Sequence, residues 1–197
     1  MGILIQSSRR PPGWAWVLVW FGLALHVLAQ APAARPLTAS AEQVKASYVL
    51  IFARSTKWPE PTNAPALTPF VIGLLQAEAL QPPLSQLLTG EQLHGRPVEI
   101  RRLGTAAEGK DCQLVYLGQL SPEALRDACA TLAGRPVLLL ADHREGLAAG
   151  STLCLWQAAE KMRYDISIEA MERAGLEVSA DVIELSLSKG KRKRAPR

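Results

Sequence analysis

The chain is organised by short apolar runs that alternate with segments of helical period. Three runs are apolar throughout, namely Phe70 to Leu75, Leu114 to Leu117 and Val137 to Ala141. Short, fully apolar runs bounded by turn residues predict strands that are covered on both faces. Between Val98 and Leu103 apolar and charged residues alternate instead. That pattern predicts a strand with one wet face, close to the edge of the same sheet.

Helical segments lie between these runs. Thr38 to Lys57 begins with Ser40, and Gln43 follows three residues later, as in a capping box. Ser121-Pro122-Glu123 predicts the start of a second helix, with serine as the N-cap and proline in the first turn. A period of 3.6 residues in the first helix predicts one buried stripe. Its members are Val44, Tyr48, Ile51, Phe52 and Ser55.

The C-terminal half has a different pattern. Ser151 to Ile168 predicts an antiparallel hairpin, Glu169 to Ala174 a short helix, and Asp181 to Leu187 a last helix. The strand, helix and strand that precede the hairpin predict a parallel crossover. The predicted fold is therefore a single compact α/β domain with a mixed, mostly parallel sheet, flanking helices and a C-terminal antiparallel hairpin.

Residues 1–34 have the layout of a secretory signal peptide. Arg9 and Arg10 precede an apolar run from Trp14 to Leu28, and Ala29-Gln30-Ala31 provides a small-x-small cleavage site. The run is shorter than the roughly 20 residues that a spanning helix needs. Cleavage is therefore favoured, with an uncleaved anchor as the alternative. Export would place the folded domain, residues 35–188, in an oxidising compartment.

The formal charge of +4 is unevenly distributed. Two of the 22 basic residues lie in the leader and six in the last nine positions, which leaves 14 against all 18 acidic residues. The body is therefore mildly acidic, which argues against binding to nucleic acid. The basic tail, residues 189–197, is predicted to be disordered. Either it is attracted to an anionic membrane surface or it is a solvated tail without a partner.

One cluster of titratable residues follows a predicted buried strand. Asp142, His143, Glu145 and Gly146 stand where loops at the carboxyl ends of parallel strands tend to bind ligands. A solvated loop is the favoured interpretation, and a ligand-binding or partner-binding loop is the alternative. A hydrolase that uses Asp142, His143 and Glu145 is less favoured, because no nucleophile motif accompanies them.

The cysteines do not suggest a site. Cys112, Cys129 and Cys154 are odd in number, so at least one is unpaired or used between chains. Their spacing matches no metal motif. Cys129 falls on the apolar face of the helix that begins at Pro122, which favours a small core residue over a disulfide partner. Because the chain has neither a nucleophile motif nor a metal motif, we predict no enzyme activity, no metal and no cofactor.

Several short motifs cover nearly all of the chain after the leader. Each is weak alone: Trp58-Pro59, Gly95-Arg96-Pro97, the strand that begins at Cys112, Gly134-Arg135-Pro136, Gly146 with Gly150, Arg163 to Ile166, and Ala174-Gly175-Leu176. In this order they resemble the YfiR-like family of small periplasmic regulatory proteins. The motif residues are expected to be structural. Trp58 is interpreted as a packing anchor, with a ligand-stacking platform as the alternative.

The resemblance implies a non-catalytic α/β domain that is often dimeric. It also implies a periplasmic repressor that binds the periplasmic part of an inner-membrane diguanylate cyclase and so lowers cyclic di-GMP. The alternative is a periplasmic small-ligand receptor that acts with a sensor kinase or an outer-membrane receptor. Many relatives have a cysteine in the first strand, within reach of the one at Cys112, whereas this chain has Ile72-Gly73 there.

Overall fold

The computed structural model of the chain describes residues 39–59, 68–159 and 161–189. The predicted leader, and all of the predicted tail except Lys189, lie outside these residues. Six α-helices occur in the described part: α1 Ala41–Ser55, α2 Gln81–Leu88, α3 Pro122–Leu132, α4 Gly146–Ala149, α5 Ile168–Arg173 and α6 Ala180–Lys189. Lys189 ends α6, so the last helix reaches one residue into the predicted tail.

Nine strands are found in the same ranges. They are β1 Thr56–Lys57, β2 Phe70–Leu75, β3 Gln92–Leu93, β4 Arg96–Leu103, β5 Leu114–Leu117, β6 Leu138–Ala141, β7 Leu153–Ala158, β8 Lys161–Ile166 and β9 Glu177–Val178. Seven of them form one sheet in the order β3-β4-β2-β5-β6-β7-β8, and β1 pairs with β9 in a second, two-stranded sheet.

The large sheet is mixed and mostly parallel, which confirms the predicted fold class. The neighbours from β4 through β2, β5 and β6 to β7 all pair in parallel. The two outermost strands, β3 and β8, pair antiparallel with their neighbours. The β7–β8 hairpin is the antiparallel C-terminal pair that the sequence predicts.

Helices cover both faces of this sheet. Along β5, Leu114 and Tyr116 belong to the core under α1, α2 and α5, whereas Val115 and Leu117 belong to the core under α3. The same alternation runs through β2 and β6, which explains why these strands are apolar throughout. Cys129 lies in the core under α3, as predicted. All of the described elements belong to one compact unit.

The local signals for helix ends are confirmed. Ser40 caps α1 in a complete capping box with Gln43, and Ser121 caps α3 by accepting a hydrogen bond from the amide of Ala124. Both serines satisfy amide groups that a helix N-terminus leaves without partners. These helices therefore begin where the sequence predicts, within two or three residues.

The predicted buried stripe of α1 is partly wrong. Phe52 is buried, but Ile51 is 48% exposed. The buried face is instead formed by Ala46, Val49, Phe52 and Ala53. Two alanines on this face let the helix axis approach the sheet closely, and the ring of Phe52 packs edge-on against Tyr164 at 5.1 Å. Small residues contribute little to a hydrophobic pattern. The predicted buried face is therefore rotated about the helix axis relative to the observed one.

Candidate functional site

An open cavity lies where three parallel strands end. Because β2, β5 and β6 run in the same direction, their carboxyl ends meet at one edge of the sheet, which is where ligands bind in open α/β sheets. The cavity has a volume of about 470 Å³. We call it the edge cavity, and its lining residues come from α1 and from the ends of the three strands: Glu42, Lys45, Gln76, Ala77, Glu78, Ala79, Leu80, Tyr116, Gly118, Gln119 and Asp142.

An ion pair joins α1 to the end of β6 across this cavity. Lys45 Nζ donates to Asp142 Oδ2 at 2.6 Å, and the two side chains are only 19% and 11% exposed. The backbone amide of Asp142 is also fixed, since it donates to the carbonyl of Leu117 at 2.8 Å. Charges removed from water to this extent must be paired, and here one ammonium and one carboxylate neutralise each other.

Tyr116 lies against the edge cavity from inside the core. Its side chain is 1% exposed, and among the described residues its hydroxyl has no hydrogen-bond partner of normal geometry. Burial raises the pKa of this hydroxyl, and the charge of Asp142, a hydrogen-bonding interaction with that carboxylate and the charge of Glu42 raise it further. The phenol therefore keeps its proton. A buried hydroxyl without a well-formed hydrogen bond costs about 1–3 kcal/mol.

Two backbone segments approach closely at the rim of the edge cavity. Gln76 follows β2 with a φ of 48°, and Gly118 follows β5. The amide of Gly118 donates to Leu75 O at 2.9 Å, and that of Gln119 donates to Gln76 O at 3.2 Å. A Cβ at position 118 would lie 2.0 Å from the carbonyl oxygen of Gln76. Only glycine permits this approach, so the rim has a fixed backbone shape.

The structure separates the residues of the predicted ligand loop. Asp142 lines the edge cavity, so the interpretation of the loop as solvated is wrong for this residue. His143 and Glu145 do match it: they pair with each other at 2.6 Å, with side chains 43% and 69% exposed, and neither lines the edge cavity. Gly146 is buried at the start of α4. The four residues therefore do not form one site.

The first two predicted family motifs lie together beside the start of β2. Trp58 Nε1 donates to Gln113 O at 3.0 Å, and its ring packs edge-on against Phe70 at 5.0 Å. Arg96 donates to the carbonyls of Thr68 and Pro69, at 2.7 and 2.6 Å. These hydrogen bonds hold the chain that enters β2. Pro59, Gly95 and Pro97 are exposed.

Two further motifs lie near α3, since Cys112 belongs to the core under this helix and Gly134-Arg135-Pro136 follows its last turn. Gly134 ends α3 with a φ of 68°, and Arg135 and Pro136 are exposed in the turn before β6. Cys112 is buried, as are Cys129 and Cys154, and all three are free thiols. Burial raises the pKa of each thiol to about 11. The thiols are thus protonated at neutral pH, which makes them poor nucleophiles.

Removing Lys45 tests the ion pair. Lys45→Met should destabilise the fold by about 2–3 kcal/mol, because it leaves a largely buried carboxylate without its partner. Urea denaturation at neutral pH measures the loss. Lys45→Met/Asp142→Asn is the matched control and should recover most of the stability. If Lys45→Met alone is as stable as the unchanged chain, the ion pair between Lys45 and Asp142 is contradicted.

The sequence did not predict the other residues of the edge cavity. Tyr116 is indistinguishable from a core residue within an apolar strand, and Lys45 has the pattern of a solvated helix position. Lys45 and Asp142 are 97 residues apart in sequence. Only the parallel order of β2, β5 and β6, with α1 laid over them, brings these side chains together.

Comparison with known proteins identifies the family. Residues 42–187 match the model of a family described as YfiR/HmsC-like. The chain belongs to the YfiR/HmsC-like family. Members of this YfiR/HmsC-like family are periplasmic regulators of signalling proteins, and they are regulatory rather than catalytic. The match spans every described helix and strand except the first residue of α1 and the last two of α6.

Among solved structures, the fold is similar to that of a conserved domain protein from Vibrio cholerae O1 biovar eltor str. N16961. The TM-score is 0.53 and the sequence identity 10%. The match covers 75% of this chain, and the chain spans 60% of the Vibrio protein. At this identity the likeness is one of fold alone.

Within residues 39–59, 68–159 and 161–189, no group of three or more His, Cys, Asp or Glu side chains is arranged to hold a metal ion. The helices of the same ranges include none with the length and apolar character needed to cross a membrane.

Proposed function

We propose that this chain is an exported regulatory protein that binds the periplasmic part of a membrane signalling protein, such as a diguanylate cyclase, and represses it. The family match over residues 42–187 carries the proposal. Residues 1–34 then act as a signal peptide that is removed on export, and residues 35–188 form the regulatory domain. The protein acts in the periplasm and by contact, without catalysis.

The chemistry of the described side chains supports a role in binding. The thiols are buried and protonated, and the exposed His143–Glu145 pair stands apart from the edge cavity. Lys45 and Asp142 neutralise each other.

Three exposed apolar side chains belong to the face that we propose for docking of a protein partner. Ile51, Leu87 and Ile168 are 48%, 38% and 44% exposed. They belong to α1, α2 and α5, the helices that cover the same face of the large sheet. Apolar residues near the centre of an interface carry much of its binding energy. We propose that this helical face contacts the signalling protein.

Photo-crosslinking tests this contact in cells. A photoreactive amino acid replaces Ile51, Leu87 or Ile168 in turn, and Glu123, exposed on α3 over the opposite face, is the matched control. We expect adducts from the apolar positions with a membrane protein that has a periplasmic part and a cytoplasmic signalling domain, whereas chain–chain adducts alone would assign this face to a homodimer. Adducts with the membrane protein from position 123 alone would contradict the proposed face.

The basic tail gives a separate prediction. Deletion of residues 189–197 should weaken binding to anionic vesicles at low salt by at least about tenfold, because each basic residue near such a surface contributes about 1 kcal/mol. Co-sedimentation with anionic and with neutral vesicles measures the loss. A chain with glutamine at the six basic positions controls for length. Equal binding by the intact and shortened chains would show that the tail is a solvated end.

A further inference from the structure

The side chains around the edge cavity carry an excess of negative charge. Glu42, Glu78 and Asp142 contribute carboxylates, and Lys45 contributes the one ammonium among the lining residues. Asp142 is already neutralised by Lys45 at 2.6 Å. This leaves Glu42 on α1 and Glu78 at the start of the 3-10 helix Glu78–Leu80. Their carboxylates accept hydrogen bonds and have none to donate.

The floor of the edge cavity adds a polar group and an apolar patch. The hydroxyl of Tyr116 is fully buried and has no hydrogen-bond partner of normal geometry among the described side chains and backbone groups. Because it keeps its proton, it can both donate and accept. Ala77, Ala79 and Leu80 line the same cavity with hydrocarbon surface. Convergent polar groups beside apolar surface, in a volume of this size, are a feature of small-molecule sites.

We propose that the edge cavity binds a small organic cation that carries a protonated amine on a short hydrocarbon chain. The ammonium donates to the carboxylates of Glu42 and Glu78, and the chain covers the alanines and Leu80. A polar group of the ligand completes the hydrogen bonding of Tyr116. An organic cation fits better than a metal ion, since the part of the chain that the structure describes holds no metal-binding cluster. This site goes beyond the proposed regulation and does not depend on it.

Titration of the full mature chain with putrescine, a four-carbon diamine, tests the ligand class. Butanediol is the neutral probe of the same length, and succinate is the anionic one. Isothermal titration calorimetry should show binding of putrescine that weakens as salt is added, since carboxylate–ammonium attraction is screened. Butanediol and succinate should bind at least about tenfold more weakly, because they lack the charge-assisted hydrogen bonds. Binding of succinate in preference to putrescine, or of none of the three, would overturn the proposal.

Substitutions of the two cavity carboxylates test whether putrescine binds in the edge cavity. Glu42→Gln and Glu78→Gln should each weaken putrescine binding by about tenfold, because each removes a charged acceptor. Glu123→Gln, at an exposed position on α3, should leave it unchanged. Retention of full affinity in both cavity variants would overturn the site.

Tyr116→Phe separates ligand binding from a structural role. It removes a hydroxyl that lacks a hydrogen bond of normal geometry, so the free protein should be about as stable as before. Putrescine affinity should nevertheless fall severalfold. Lower stability of the free protein with unchanged affinity would show instead that the hydroxyl belongs to the fold, and it would overturn the role of Tyr116 in the site.

Discussion

Replacing Gly118 by alanine should destabilise the protein by more than about 4 kcal/mol, enough to unfold a domain of ordinary stability. The added Cβ would lie 2.0 Å from the carbonyl oxygen of Gln76 and 2.8 Å from its carbon. Both are backbone atoms. The hydrogen bonds of Gly118 with Leu75 and of Gln119 with Gln76 hold the two segments in place, so neither can withdraw without losing them.

Gly134→Ala is the matched control for this prediction. Gly134 has a φ of 68° and no atom within 4 Å of an added Cβ. Its replacement should therefore cost only the strain of a left-handed alanine, about 1–2 kcal/mol. Circular dichroism during urea denaturation compares the two variants. If Gly118→Ala loses no more stability than Gly134→Ala, the close approach at the rim of the edge cavity is not as described.

Gly73→Cys should form a disulfide with Cys112 and stabilise the oxidised protein by about 2–4 kcal/mol relative to its own reduced form. A Cβ at position 73 would lie 3.1 Å from Cys112 Sγ. With an S–S bond of about 2.04 Å, a Cβ and the far sulfur of a disulfide are separated by about 3 Å. The two positions are thus already spaced for the bond. The new side chain also meets Leu103 Cδ1 at 2.7 Å, which a rotation of leucine must relieve.

Comparison of oxidised and reduced forms of one variant cancels that steric cost. Oxidation should leave Cys129 and Cys154 as the free thiols and raise Tm by roughly 5–15 °C. Gly73→Cys/Cys112→Ser, which cannot form the bond, should show no difference between oxidising and reducing conditions. A thiol count that oxidation does not change would contradict the spacing. The result bears on the family resemblance, which implies a cysteine in the first strand of many relatives.

Most of the fold follows from local sequence signals. The bounds of β2 agree with its apolar run. A strand that is covered on both faces is apolar along its whole length, so the run ends where the strand ends. Ser40 and Ser121 predicted helix starts because capping is decided within four residues. The antiparallel hairpin was also predictable, since Leu153 and Leu155 alternate with Cys154 and Trp156 and in fact face opposite cores.

The short strands show where local signals fail. β1 and β9 have two residues each and pair Thr56 with Val178. β3 also has two residues and joins β4 through His94 and Gly95, both at positive φ. A two-residue strand has no period to detect. Such strands are defined by partners that lie far along the chain or across a turn.

The candidate site depends even more on long-range order. Asp142 was the one residue of the edge cavity that the sequence singled out, because it directly follows a buried strand. Its partner Lys45 comes from the first helix, and Tyr116 from the middle of an apolar run. Each gains its role from the strand order and from the position of α1. A pattern of apolar and polar residues specifies neither.

The measurement that tests repression most directly is the cellular level of cyclic di-GMP after deletion of the gene. Two complementing copies are compared, one with the full chain and one that begins at residue 35 and lacks the leader. We predict a rise on deletion that the full chain reverses and the leaderless chain does not, because the regulator must meet its target in the periplasm. An unchanged level, or equal reversal by both copies, would contradict the account of this protein as an exported repressor of cyclic di-GMP synthesis.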